Sequence, residues 1–320
     1  MKTLNKQQKE IRSAFANFVV GKISEAEARS LGLNINDGKA LIPKNIAEEI
    51  IGYVEQENIL RKYGKVVKVT GNLNYPVLTG DSNIKVDVHS KERDTNAIEV
   101  NEIGLTAELL SPVEFDSMSI IKKKFLKLSP VSVSDLIVEV MKKAYLEKEI
   151  DYMFNGTNEE ALNTGSLFNK AKVFTSAATE PVAIIKEMKN TPSSKVMNRS
   201  RWVINKAALK YVEDLILPNG EPVLKTIETT EGGAKYLILG YPADLSDVVK
   251  GSTDTGSVFY FGDFSSFVIQ ENSTGLEVET KYEMAGDYIL QNEVGFKLYN
   301  LLDGKLVYSE KEPTVFRMEV

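Results

Sequence analysis

The sequence predicts an α+β fold, with helices and strands in blocks rather than in regular alternation. Three observations carry this expectation. One amphipathic helix of about twenty residues, ~30 Å long at 1.5 Å per residue, closes at Asn155-Gly156. From Phe267 onward the chain reads as strand almost throughout. Between them, residues 157–270 mix short helices and strands with no repeating unit. That pattern disfavours a doubly wound parallel sheet.

Composition bounds the function. The 320 residues allow two domains or one large compound one. An apolar fraction of 42% and a charged fraction of 26% suit a folded chain with a sizeable core, which excludes wholesale disorder. No apolar run approaches the roughly 18–20 residues of a membrane span, so no membrane partner is expected. The polar, basic N-terminus does not read as a secretory signal. Cysteine is absent, which excludes disulfides, thiolate metal sites and a cysteine nucleophile and fits a reducing cytosol. A net charge of −6 argues against a sequence-specific reader of nucleic acid.

In chain order, the first 44 residues stand apart. Eight basic side chains against four acidic ones give this segment +4. A helix is expected over about 4–20, with Ile11, Phe15, Phe18 and Val19 on one face. Gly21 stops it. Ser24 and Glu27 form a capping-box pattern for a second short helix. The apolar stripe is too narrow for an independent core, so this segment reads as an arm that folds on something else. From Pro43, Ile46, Ile50, Ile51 and Val54 repeat at helical spacing, with proline where a helix start tolerates it. After Gly64 the period becomes two: Val67 and Val69, then Leu73, Tyr75 and Val77 beyond a turn at Gly71-Asn72. Residues 78–110 read as a long hairpin, with Ile84, Val86 and Val88 on one face. Such a ribbon is marginal alone and has open edges, so it is expected to lie over a neighbouring subunit. The strong helix follows. Ser132 and Asp135 cap it, and Leu136, Ile137, Val140, Met141 and Ala144 make its apolar face. Helices are expected at 181–189 and 206–215, the latter capped by Asn205. Trp202-Val203-Ile204 and Phe259-Tyr260-Phe261 read as buried strands, and Trp202 as a core anchor.

Little in the sequence carries chemistry. No phosphate-binding loop, dinucleotide fingerprint, nucleophile elbow or zinc-protease motif occurs. Gly251 and Gly256 bracket Ser-Thr-Asp-Thr without a following lysine and read as a plain loop. Glu114 and Asp116 share one face of a strand and read as solvated, not as a cation site. The single histidine, His89, lies on the ribbon without a pocket and reads as a surface or interface residue. Lys122, Lys123, Lys124 and Lys127 read as a solvated or subunit-facing edge ahead of a phosphate contact. No catalytic, cofactor-binding or metal-ligating residue is assigned, no cofactor is expected, and the chain is not expected to be an enzyme.

The order of elements resembles the major capsid proteins of tailed bacteriophages, the family with the Hong Kong 97-like fold. Ala40-Leu41-Ile42-Pro43 with the helix that follows and Leu60-Arg61 resembles the family's opening helix. The ribbon resembles its extended loop. The helix over 134–154 with Phe154-Asn155-Gly156-Thr157 resembles its spine helix. Trp202-Val203-Ile204-Asn205, Leu239-Gly240-Tyr241-Pro242 and Phe261-Gly262-Asp263-Phe264 resemble its later strand and turn motifs. The resemblance covers roughly residues 40–318.

The resemblance implies an N-terminal arm over 1–44, a peripheral domain beginning at 45–66, and an extended loop over 67–110. It then implies peripheral structure with the spine helix over 111–154, an axial domain over 155–269, peripheral strands over 270–304, and a return to the axial domain over 305–320. It implies self-assembly into pentamers and hexamers of an icosahedral shell holding double-stranded DNA, in a virion assembled in the host bacterial cytoplasm. Portal, scaffold and decoration proteins are implied partners. Many members carry a long scaffold segment ahead of the opening helix. Here the arm alone precedes it, so a separate scaffold or a processed chain is expected. Some members weld the shell through a lysine, an asparagine and an assisting glutamate. Lys85 or Lys91 and Asn292 stand for the first two, but Tyr299 occupies the glutamate's place and Glu293 points to the opposite strand face. A lysine with a pKa of about 10.4 stays charged without a base, so no cross-link is expected. An encapsulin-like cargo shell and, behind it, a two-domain enzyme are the alternatives.

Overall fold

The computed structural model describes residues 6–19, 22–36, 39–40, 44–78, 105–122, 124, 133–156, 163–228, 234–252, 256–272, 277–281, 293–309 and 312–320. The ribbon beyond its base, with Lys85, His89 and Lys91, lies outside them, as do Lys123, Lys127 and Asn292. The mixed α+β expectation holds: the described residues form a seven-stranded and a five-stranded sheet, two two-stranded ribbons and the helices packed on them.

Helix α1 (Lys6–Val19) and α2 (Glu25–Ser30) open the chain. The capping box forms as expected: the Glu27 amide donates to Ser24 Oγ and the Ser24 amide donates to the Glu27 carboxylate. A small hairpin, β1 (Ile35–Asn36) and β2 (Lys39–Ala40), leads to α3 (Lys44–Glu57). Asn58 ends α3 and caps α4 (Ile59–Tyr63) by accepting the Leu60 amide at 2.9 Å. Strand β3 (Lys65–Lys68) follows, then the ribbon base, β4 (Leu73–Leu78) paired with β5 (Leu105–Leu110). Next come β6 (Val113–Lys122) and the long helix α5 (Val133–Phe154).

Two features of these elements differ from the expectation. Val140 is exposed, and the buried stripe of α5 runs through Met141, Tyr145, Glu149, Tyr152 and Met153. The helix is turned this way because Glu149 has a buried partner, which spacing alone could not reveal. The arm also differs. Ala14, Phe15 and Phe18 of α1 are buried in the same core as Ile50 and Val54 of α3 and Met141 and Tyr145 of α5. Its narrow stripe cannot make a core, but it completes one the rest of the chain has begun.

The second half builds a seven-stranded sheet around short helices α6 (Leu167–Lys170), α7 (Pro181–Asn190), α8 (Ser194–Met197) and α9 (Lys206–Glu213). Its strands are β7 (Lys172–Val173), β8 (Arg201–Ile204), β9 (Leu224–Glu228), β10 (Ala234–Ile238), β11 (Tyr241–Leu245), β12 (Val258–Gly262) and β16 (Val315–Glu319). They lie in the order β7-β16-β12-β8-β11-β10-β9. Trp202, Ile204, Phe259 and Phe261 face α7 and α9, while Val203, Val258 and Tyr260 face the other core. Burial on both faces is why these strands read as unbroken apolar runs. The Trp202 indole donates to the Ile238 carbonyl at 3.1 Å, so the ring is buried without an orphaned N–H.

A second sheet joins β14 (Glu277–Lys281), β15 (Glu293–Leu306), β13 (Phe267–Glu271) and β3, with β6 laddered along β15. The chain leaves the first sheet after β12, through a 3-10 turn at Phe264–Ser266, and enters the second at β13. It returns after β15 as β16. Gly262 marks the first crossing: a side chain there would collide with the Thr314 carbonyl and the Val315 backbone as β16 passes. One core spans the two lobes, with Phe154 at the end of α5 set edge-on to Tyr260 of β12 at 6.5 Å.

Beneath α5 lies a buried charge cluster. Arg61 of α4 donates from Nε and Nη2 to the two oxygens of Glu149 at 2.6 and 2.7 Å. Its Nη1 stands 2.5 Å from Glu271 of β13 as an ion pair, without the alignment of a hydrogen bond. Asn58 donates to Glu149 at 2.6 Å. The three charged side chains are 1%, 0% and 5% exposed. Burial alone would lower the Arg61 pKa, but Glu149 and then Glu271 more than offset this and hold it above its ordinary value. Arg61→Ala strands two carboxylates in the core and is expected to cost about 3–5 kcal/mol. Arg61→Lys, which keeps the charge but not the fork, is expected to lose less. Denaturant unfolding of both variants checks this, and an unchanged midpoint in Arg61→Ala would show that the cluster is not a structural anchor.

Candidate assembly elements

The candidate elements are the ribbon base, the arm, the basic edge and the joint between lobes. The ribbon base pairs Leu73 with Leu110 through to Leu78 with Leu105. Val77 and Leu110 pack with Val268 and Val307, so the base rests on its own lobe. Lys170 meets Glu108 at 3.4 Å, and Gln270 donates to the Gly71 carbonyl.

Strand β6 pairs with β15 over ten residues, Val113 opposite Leu302 through to Lys122 opposite Glu293. Glu114 is exposed, and Lys122 at the far end and Lys124 beyond it are exposed too. Among the described residues no group of three or more His, Cys, Asp or Glu side chains could hold a metal ion. The Tyr299 hydroxyl donates to Glu114 Oε1 at 3.3 Å. A carboxylate therefore does stand beside Tyr299, supplied by β6 and 185 positions away in sequence. No spacing rule within β15 could have found it.

The lobes also meet at a polar joint. The Arg201 guanidinium of β8 lies 3.3 Å from the Tyr63 ring centroid and donates to Asp244 of β11 at 2.8 Å. The Tyr63 hydroxyl donates to the other Asp244 oxygen at 3.3 Å. Beside this joint is a cleft of about 440 Å³ floored by Ile59, Leu146, Ile150 and Phe154. On the outer end of the seven-stranded sheet, Ile216 and Ile227 are 64% and 50% exposed.

The arm is tied to its lobe at Glu49 of α3. Arg12 of α1 and Lys142 of α5 reach the two Glu49 oxygens at 2.5 and 2.8 Å. Partial burial would raise the Glu49 carboxyl, but the Lys142 hydrogen bond and the Arg12 charge outweigh it and hold it below the usual carboxylate range.

A mixed α+β body with this order of helices and strands has the fold of the Hong Kong 97-type shell proteins. The chain resembles the capsid of an empty GTA particle at 14% identity, over 81% of this chain and 88% of that one, with a TM-score of 0.57. It resembles a structure from Microbacterium phage Oxtober96 at 11% identity, over 81% and 90%, with a TM-score of 0.60. It also resembles the SrpI encapsulin of Synechococcus elongatus at 10% identity, over 93% and 95%, with a TM-score of 0.51. No curated protein sequence matches. The chain belongs to the phage capsid family, whose profile matches residues 38–311. It is a major capsid protein, a structural component of the virion shell.

The Glu49 tie sets how the arm responds to acid. A depressed carboxyl contributes stability that is present above its ordinary range and is lost as pH falls through the lowered value. Hydrogen exchange in α1 is therefore expected to rise on acidification, and Glu49→Gln is expected to reproduce that rise at neutral pH. Equal protection of α1 in the variant and the parent at neutral pH would mean that the apolar face alone holds the arm.

Proposed function

We propose that this chain builds the pentamers and hexamers of an icosahedral shell around the double-stranded DNA of a tailed phage or prophage. The observation that carries the reading is the ribbon: its base is fixed on its own lobe, while the sequence of the remainder has too little apolar surface for a core. Closed assembly satisfies such open edges. In this reading residues 1–44 form the arm, 67–110 the extended loop, and 45–66, 111–154 and 270–304 the peripheral domain. Residues 155–269 and 305–320 form the axial domain. The chain works without catalysis or cofactor. Its partners are other copies of itself, then a portal and, where used, scaffold and decoration proteins, met in the host cytoplasm. DNA is contacted without sequence preference, through charge.

Negative-stain electron microscopy of the purified chain, alone and with scaffold or DNA, tests this. Closed shells with visible five- and six-fold capsomers are expected. Small shells filled with a protein cargo would favour an encapsulin-like compartment, and an absence of shells under all conditions would overturn the assembly reading.

The shell is proposed to hold together without covalent welding. Where the family pattern has a glutamate stands Tyr299, whose hydroxyl donates a hydrogen bond and so is not available as a base. Mature shells boiled in detergent are expected to run as one band at the monomer mass of 35.6 kDa. A ladder would overturn this and would point to Glu114 as the assisting carboxylate.

A further inference from the structure

The lobe built on the seven-stranded sheet carries its charge in two blocks. From the end of α6 to the start of β8, residues 170–201 hold seven Lys or Arg side chains against two Glu, a net of +5 in a chain of −6. From the end of α9 to just past β9, residues 211–231 hold five Asp or Glu against one Lys, a net of −4. Strand β7 lies in the first block and β9 in the second, and these are the two end strands of the sheet. The Ser176 hydroxyl, just past β7, donates to Glu187 and so sets α7 beside that edge. At the other edge the Val223 amide donates to the Leu215 carbonyl at 2.9 Å, tying the end of α9 to the start of β9.

Much of this charge is uncommitted. Among the described residues, Lys172, Lys186, Lys189, Lys195 and Arg199 make no ion pair, and neither do Glu213 and Asp214 at the opposite edge. Each edge also exposes apolar surface. Val173 of β7 is 56% exposed, while Ile227 of β9 and Ile216, bridged to Pro222, are exposed on the other side.

We propose that the basic β7 edge of one copy docks on the acidic β9 edge of the next, joining these lobes head to tail around each capsomer. This rests on the shell reading and names the faces through which copies meet. A two-fold contact at either edge would set that edge against itself, basic on basic or acidic on acidic. A head-to-tail contact sets unlike charges together, and its repetition closes rings. The exposed apolar side chains give each edge a centre to bury within a charged rim. An end strand also offers unpaired N–H and C=O groups to a neighbour. A DNA backbone would match the charge of the β7 edge, but it would leave Val173 without an apolar partner and the β9 edge without a role.

Reciprocal charge reversal in the full chain tests this, read as the fraction assembled into rings or shells by sedimentation and negative-stain microscopy. Lys172→Glu, Lys195→Glu and Arg199→Glu together take the first block from +5 to −1. Glu213→Lys, Asp214→Lys and Glu221→Lys together take the second from −4 to +2. Each triple variant is expected to lower the assembled fraction about tenfold, most strongly at low salt, where exposed charges are least screened. All six changes in one chain are expected to restore it. Mixing the two triple variants is expected to give six-membered but not five-membered rings, because alternating copies close only in even numbers. That mixture decides the matter if the sixfold variant does not fold. Normal assembly of either triple variant would overturn the contact. So would failure of both the sixfold variant and the mixture while each triple variant keeps the parent's thermal midpoint. Empty shells in normal yield from the Lys172, Lys195 and Arg199 variant, with DNA lost, would overturn it by assigning that edge to DNA. No assembly by the parent chain under any condition would overturn the shell reading, and this contact with it.

Discussion

Three charged side chains share the dry space between α4, α5 and β13, and the rest of the first lobe is arranged around that fact. Withdrawing a carboxylate from water costs several kcal/mol, and the cost is recovered only with close pairing and full hydrogen bonding. Glu149 meets that condition through the Arg61 fork and Asn58, while Glu271 is compensated by charge pairing alone, through the third guanidinium nitrogen. Each comes from a different element, so none of the three can shift alone without exposing a charge to an apolar surround. The position of β3 follows. It begins four residues after Arg61 and runs parallel to β13, with Lys68 set 3.9 Å from Glu271 at the surface. The long helix is therefore fixed in rotation as well as in place, which is why Val140 is turned outward.

The parts of the fold legible in the sequence are those set by neighbours along the chain. The stripe of α3 could be read because Ile50 and Val54 lie one helical turn apart. The Ser24–Glu27 box could be read because its hydrogen bonds span three residues. Strands β8 and β12 could be read because burial on both faces removes polar residues. What could not be read depends on pairs far apart. Glu149 looks like an ordinary surface residue until Arg61, 88 positions away, is brought beneath it. Asp303 looks like a turn residue in a strand until Ser111 and Tyr152 close on it. The arm's stripe, narrow by itself, gives no hint that it packs into one core with α3 and α5.

The two lobes meet through two seams of different character. One is apolar and continuous, running from Phe154 to Tyr260 and onward through Val203 and Val258. The other is polar, the triangle of Tyr63, Arg201 and Asp244 beside an open cleft. Apolar contact fixes how closely the lobes approach but is tolerant of small rotations. Directional contacts fix the rotation. The division of labour assigns distance to the core and angle to three side chains at its edge.

Strand β15 has a mechanical consequence. Its 14 residues reach about 45 Å at ~3.3 Å each, and along that length it is gripped by β6, β14 and β13. Inter-strand hydrogen bonds lie across the strand, so a pull along β15 loads them in shear, many at once, rather than peeling them singly. A lobe strung on such a member resists stretching in one direction far better than bending in the other. Tension in a wall built from these subunits would be borne best along that line.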